Sequence, residues 1–246
     1  MARREGAMRT AAPAQRQIEQ ILGAAGVSVY GYADVTEATS QLAAAGRELF
    51  PGAVWAVSIG IALPNSIVDR LPSQSAEVAA LYKHHAYDVI NARLDLATSR
   101  LAQAIEERGF ASLPVPASQR TDQQTLSSLF PHKTAAHLAG LGWIGKSCLL
   151  VTPQYGPRVR LATVLTDLPL QPIAERIEPR CGGCTQCFDI CPVHAFTGRL
   201  FHESEARETR FDATACNDHL AVQRERIGYD VCGLCLYVCP FGRARS

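Results

Sequence analysis

Eight of the chain's nine cysteines lie between Cys181 and Cys239, in two runs spaced like iron-sulfur ligands. The first run, Cys181-Gly-Gly-Cys184-Thr-Gln-Cys187-Phe-Asp-Ile-Cys191-Pro192, has the pattern C-x2-C-x2-C-x3-C-P. The second, Cys232-Gly-Leu-Cys235-Leu-Tyr-Val-Cys239-Pro240, lacks the first member of that pattern, and Cys216 upstream is available to replace it. Three closely spaced thiolates wrap one cubane, while the fourth cysteine, carried away by the next helical turn, serves the other. Crossed ligation then assigns Cys181, Cys184, Cys187 and Cys239 to one 4Fe-4S cluster. Cys216, Cys232, Cys235 and Cys191 go to a second. Zinc favours paired C-x2-C knuckles with four ligands per site, a poor match to a triplet followed by proline. Two clusters joined this way form a two-step electron wire. Cys148, the ninth cysteine, opens an apolar stretch and reads as a small buried residue.

Gly140-Leu-Gly142-Trp143-Ile-Gly145-Lys146-Ser147 satisfies both G-x-G-x-x-G and G-x4-G-K-S. Both phosphate-binding mechanisms need a strand before the glycines and a helix after them. Here the order is reversed, so the segment reads as a tight turn where backbone approaches a ligand. Lysine is scarce: of 24 Lys and Arg, only Lys83, Lys133 and Lys146 are lysine. One or both of Lys133 and Lys146 are therefore expected to line a cofactor or substrate pocket, as donors to a cofactor amide, a phosphate or a reacting oxygen. His84-His85 has no partner at metal-ligand spacing and reads as structural, His137 reads as a core histidine, and His194 and His202 read as groups behind the cluster ligands or on the surface.

The elements that must hold these residues come from a chain of 246 residues, 47% hydrophobic and 19% charged, with net charge +1. That composition excludes a disordered or fibrous chain, and the charge argues against binding nucleic acid by bulk phosphate neutralisation. No apolar run approaches the roughly 18 residues of a membrane span. Arg3-Arg4 raises twin-arginine export, but Glu5, Arg9, Arg16 and Glu19 interrupt the place of an apolar core. A cytoplasmic protein is expected, a compartment in which clustered cysteines are metal ligands. Periodicity predicts helices over 15–25, 36–49, 76–108 (one long amphipathic helix with room for a kink) and 131–139. Strands are expected over 27–32, 53–63, 111–115, 148–152 and 158–166, with a polar loop over 116–128. The pattern predicts an α/β (α+β) layered domain over 1–175 and a small bacterial-ferredoxin-like double-cluster domain over 176–246.

The stretch from Ala139 through the glycine segment to Gly156, followed by the double cysteine module, resembles the epoxyqueuosine reductase family and its relatives. These are corrinoid-dependent iron-sulfur enzymes, related in cofactor use to reductive dehalogenases. Fainter likeness covers the Tyr87-Asp88 region and residues 109–118. The resemblance implies a first domain that binds cobalamin, with Tyr87, Gly140, Gly142, Trp143, Gly145, Lys146 and Ser147 around it. It further implies clusters that feed electrons to cobalt and a low-potential donor of ferredoxin or flavodoxin type. No D-x-H-x-x-G occurs, so a base-off corrinoid is expected.

Family members that act on tRNA carry an acid in a D-S-A-P-like context about a dozen positions before the glycine segment. Here Leu126 to Lys133 contains none, and Asp122 is the nearest acid. Asp122 and Lys133 are accordingly the catalytic candidates, Asp122 as proton donor. The chain also ends at Ser246, before any helical-repeat extension, so a short paralogue acting on an unidentified small substrate is expected, with no tRNA or membrane partner. The alternative is an electron-transfer protein that docks a redox partner without bond chemistry of its own. A third reading is true epoxyqueuosine reduction in tRNA.

Overall fold

In a computed structural model the chain is described over residues 2–38, 50, 52 and 54–243. The helix expected over 36–49 falls almost wholly outside these residues. The chain divides into two compact units, each assembled from separated segments: 1–61, 91–141 and 160–176 in one, and 62–90, 142–159 and 177–246 in the other. The last segment starts beside the boundary expected between residues 175 and 176. Two stretches from the N-terminal region join it.

The first unit is built on a four-stranded sheet of order β1-β2-β6-β3, comprising β1 (Val29–Asp34), β2 (Trp55–Ala62), β6 (Val159–Thr166) and β3 (Ser112–Val115). Every neighbouring pair is antiparallel. Val29 faces Gly60 and Ser112 faces Thr166 in the printed registers, and Val54 and Leu63 at the two ends of β2 bond to Thr166 and Arg158. The central strands, WAVSIGIA and VRLATVLT, are buried almost throughout. Strands covered on both faces carry near-continuous apolar runs rather than alternation, which is why both stood out in the sequence. Ala33, Ala56, Val115, Phe130, Ala135 and Leu165 form the centre of the core. The Ala2–Ala24 helix begins well before residue 15 and buries Ile18 and Leu22.

The long helix is three pieces: Ala76–Tyr82, a π turn over Lys83–Val89, and Ile90–Glu106. Its apolar residues step by four at Tyr82, Ala86, Ile90 and Leu94, all buried. Steps of four overrun a 3.6-residue turn by about 40° each. The wider π turn absorbs the excess residue and keeps the row on one face.

In the second unit the glycine segment forms a hairpin, β4 (Trp143–Ile144) against β5 (Leu150–Val151), preceded in the chain by the His132–Leu138 helix. The cysteine segment adds short helices at Gln186–Asp189 and Leu234–Val238 and a longer one at Ala213–Ile227, capped by Asp212 at its start and by Gly228 at its end. Among the described residues, no helix is long and apolar enough to cross a membrane.

Candidate functional site

Four cysteines, Cys181, Cys184, Cys187 and Cys239, line one cavity together with Gly145, Lys146, Ser147, Gln186 and Phe241. Burial first, and then the neighbouring sulfurs of Cys181, Cys184 and Cys239, together push the Cys187 thiol up to about 11. Cys235 is raised for the same two reasons: first burial, then Cys232, Cys216 and Cys191, with Cys187 beyond them. Cys239 of the second run thus shares a cavity with Cys181, Cys184 and Cys187 of the first, while Cys191 of the first run lies near Cys235 together with Cys216 and Cys232. Among the described residues no three Cys, His, Asp or Glu side chains gather tightly enough for a single metal ion. Four sulfurs spread around a cavity suit a polynuclear cluster, whose thiolates attach to separate irons.

The second unit braces each cysteine loop with a residue remote in sequence. Lys146 Nζ donates to the carbonyl oxygens of Gly182 at 2.8 Å and Cys184 at 3.2 Å. Gln74 Nε2 donates to Cys232 O at 3.2 Å, and Gln74 in turn accepts from the buried Gln223 at 2.7 Å. Gly233, beside Cys232, has φ +76°, and a Cβ there would lie 2.8 Å from Leu71. Arg158, 1% exposed, joins Asn65 at 2.7 Å, Asp69 at 2.8 Å and the Tyr237 carbonyl at 3.4 Å, tying the 65–68 helix to the 234–238 helix. Gln74 and Arg158 gave no sign of this in the sequence. Each sits in a motif-free stretch, and only tertiary contact reveals its task.

The residues expected around a corrinoid are mostly committed elsewhere. A Cβ on Gly142 would meet the Val151 backbone, and one on Gly140 would meet Ala174 and Glu175. Trp143 is fully buried, edge-on to Phe241 with ring centres 4.8 Å apart. Gly145, Lys146 and Ser147 belong to the wall of the four-cysteine cavity. Tyr87 packs edge-on against Tyr82, with the Lys83 ammonium 4.8 Å over its ring. These contacts describe a turn packed against its own hairpin and against the cavity of the four cysteines. Cys148 is buried, and its sulfur accepts from Arg210 at 3.8 Å.

The polar loop of the first unit is pinned at its base. His132 Nε2 donates to Pro116 O and Nδ1 accepts from Thr163 Oγ1, both at 3.0 Å, while Ala117 N bonds Asp95 and Ser118 bonds Arg160. Burial, aided by the Arg160 cation, pulls His132 down to about 4, against the opposing pull of the Pro116 bond and Asp95, so the ring is neutral. At the tip, Asp122 pairs with Ser127, and its carboxylate accepts from Gln124 N at 2.8 Å and Thr125 N at 3.0 Å. Those bonds lower its pKa, with the Thr125 amide the largest cause. A proton donor at neutral pH needs the opposite shift. Lys133 sits half-buried on the first turn of the 132–138 helix.

Residues 180–242 match the family model of the 4Fe-4S double cluster binding domain. An epoxyqueuosine reductase of Bacillus cereus is 28% identical over 202 residues, 78% of this chain and 49% of that relative. The chain is epoxyqueuosine reductase-like. A solved epoxyqueuosine reductase with an epoxyqueuosine-modified tRNA-Tyr stem loop matches 94% of this epoxyqueuosine reductase-like chain and 66% of its own, with TM-score 0.58 and 21% identity. A reductive dehalogenase whose structure suggests a mechanism for B12-dependent dehalogenation matches 92% of this chain and 31% of its own, with TM-score 0.63 and 18% identity. Both structural likenesses are likenesses of fold: a mixed α/β chain with a double-cluster domain.

The chain spans about half the length of the curated relatives it matches. The expectation against tRNA is therefore withdrawn: a protein of this fold holds a tRNA stem loop, and an end at residue 246 is no argument against one.

Proposed function

We propose that the chain is a reductase in which a low-potential donor of ferredoxin or flavodoxin type supplies electrons, one at a time, to two 4Fe-4S clusters, and that the electrons leave through a corrinoid to a bound substrate. The observation that carries this reading is the sorting of eight cysteines into two sets of four, with each run lending one ligand to the other set. Such an exchange holds the clusters close enough for electrons to pass between them. The chain's own residues bind and brace the clusters: eight thiolates as ligands, with Lys146, Gln74 and Gly233 fixing the loops that carry them. A corrinoid, when bound, supplies a low-potential metal able to deliver electrons to carbon. Support for it comes from the likeness to the dehalogenase fold, not from the glycine turn.

For the substrate, an unidentified small molecule remains one reading. A second, epoxyqueuosine in tRNA, is favoured by the reductase relatives. One experiment addresses both. Anaerobically reconstituted protein is titrated with cobalamin, followed by visible spectra and EPR, then incubated under reducing conditions with an epoxyqueuosine-bearing stem loop. Spectral change with saturation is expected. Its absence leaves a cluster protein that passes electrons to a docked partner. Formation of queuosine identifies the tRNA reading, and a bound corrinoid without queuosine leaves the small substrate.

A further inference from the structure

Lys146 was expected to face a substrate or cofactor, yet its ammonium is spent on the backbone of the first cysteine loop. It bonds the carbonyls on either side of Gly183 and lines the cavity of Cys181, Cys184, Cys187 and Cys239. The Cys232 carbonyl is held instead by the neutral amide of Gln74, whose own backbone carbonyl accepts from the Arg226 guanidinium at 3.2 Å, so the cation there stands one residue further from the loop. In a chain with only three lysines, a formal positive charge is thus built into one cluster wall.

Two effects follow from elementary electrostatics. Fixing two peptide planes sets the orientation of the dipoles nearest the sulfurs, and a cation at the wall stabilises the more negative, reduced state of whatever the four thiolates hold. Partial burial keeps that charge from being fully screened. We propose that Lys146 is a positioning residue for the cluster of Cys181, Cys184, Cys187 and Cys239, anchoring its first loop and raising its reduction potential.

The proposal rests on the two-cluster reading, and the test separates the two. Wild type, K146M, K146R and K146Q are reconstituted, assayed for iron and sulfide, and titrated by EPR against potential. Wild type should hold about eight irons per chain; a value near four or zero there overturns the two-cluster reading and, with it, the premise. With eight present, K146M should lower the potential of one cluster and leave the other in place. K146R should recover most of that shift and K146Q little, since glutamine keeps a donor without the charge. Loss of about four irons in K146M, restored in K146R, also supports the anchoring role. Unmoved potentials at full iron content in K146M overturn the proposal, as does a shift equal in K146M and K146R.

Discussion

The sheet unit and the cluster unit are stabilised by different means. In the sheet unit, β2 and β6 are buried nearly end to end, and helix residues such as Ile18, Leu94, Leu101 and Ile105 add large apolar side chains with almost no exposure. Along 177–242 of the other unit, the buried apolar residues are Cys191, Ala195, Phe196, Val231, Leu236 and Val238, two of them small or sulfur-bearing. Its helices at Gln186–Asp189 and Leu234–Val238 are too short to stand on propensity alone. Regular elements with a shared apolar face can fold on burial; a segment this thin in apolar contact needs ligands to close it.

The largest effect expected from that contrast is selective melting on iron removal. Chelation under anaerobic conditions should abolish hydrogen-exchange protection along 177–242 while β2 and β6 keep theirs. Equal loss in both units would break the comparison. Single substitutions should then divide the cysteines. Cys235→Ser, in the second thiol set, should lose about four irons, whereas Cys148→Ser, beside Arg210 and outside both sets, should lose none. Iron analysis decides, and a deficit in the Cys148 variant would make that sulfur a ligand.

A smaller effect concerns loop geometry. Gly233 needs φ +76° and leaves no room for a Cβ against Leu71, while Gly198 needs φ +78° in open space. Gly233→Ala should cost about 2 kcal/mol and Gly198→Ala about 1 kcal/mol, the difference being the Leu71 contact. Urea denaturation of the reconstituted protein measures both. Equal losses would show that backbone strain alone matters at the second cysteine loop.

What was legible in the sequence divides along the same line. Cluster ligands must sit at fixed spacing around a rigid inorganic core, so Cys181 to Cys239 announced their grouping before any fold was known. β2 and β6 were legible because strands buried on both faces leave continuous apolar runs. The start of the first helix was hidden by Pro13 and the charged residues around it. The π turn was visible only as a row of four-residue steps whose cause the periodicity did not name. Lys146 was singled out for a pocket wall, but the two carbonyls it bonds were not foreseen, because a lysine's reach is decided by tertiary packing. Asp122 was chosen for its place in the chain, and its bonds within the 121–127 turn are set by local backbone geometry that composition does not encode.

The smallest effect belongs to the sheet unit and involves no metal. His132 is held neutral at about 4, against an ordinary value of 6.5, chiefly by burial. The unfolded chain takes up a proton near 6.5 while the folded ring resists until about 4, so the folded state loses ground as pH falls through that window. The contribution is complete above pH 6.5 and is lost toward pH 4. A shift of that size corresponds to about 3 kcal/mol. His132→Gln keeps a donor for Pro116 and an acceptor for Thr163 but does not titrate. Urea denaturation followed by the fluorescence of Trp55 in β2 should show a wild-type stability that falls between pH 6.5 and 4 and a variant whose curve is flatter there. Identical slopes would mean that the ring's burial contributes nothing to holding the polar loop, and that the sheet unit rests on its apolar core alone.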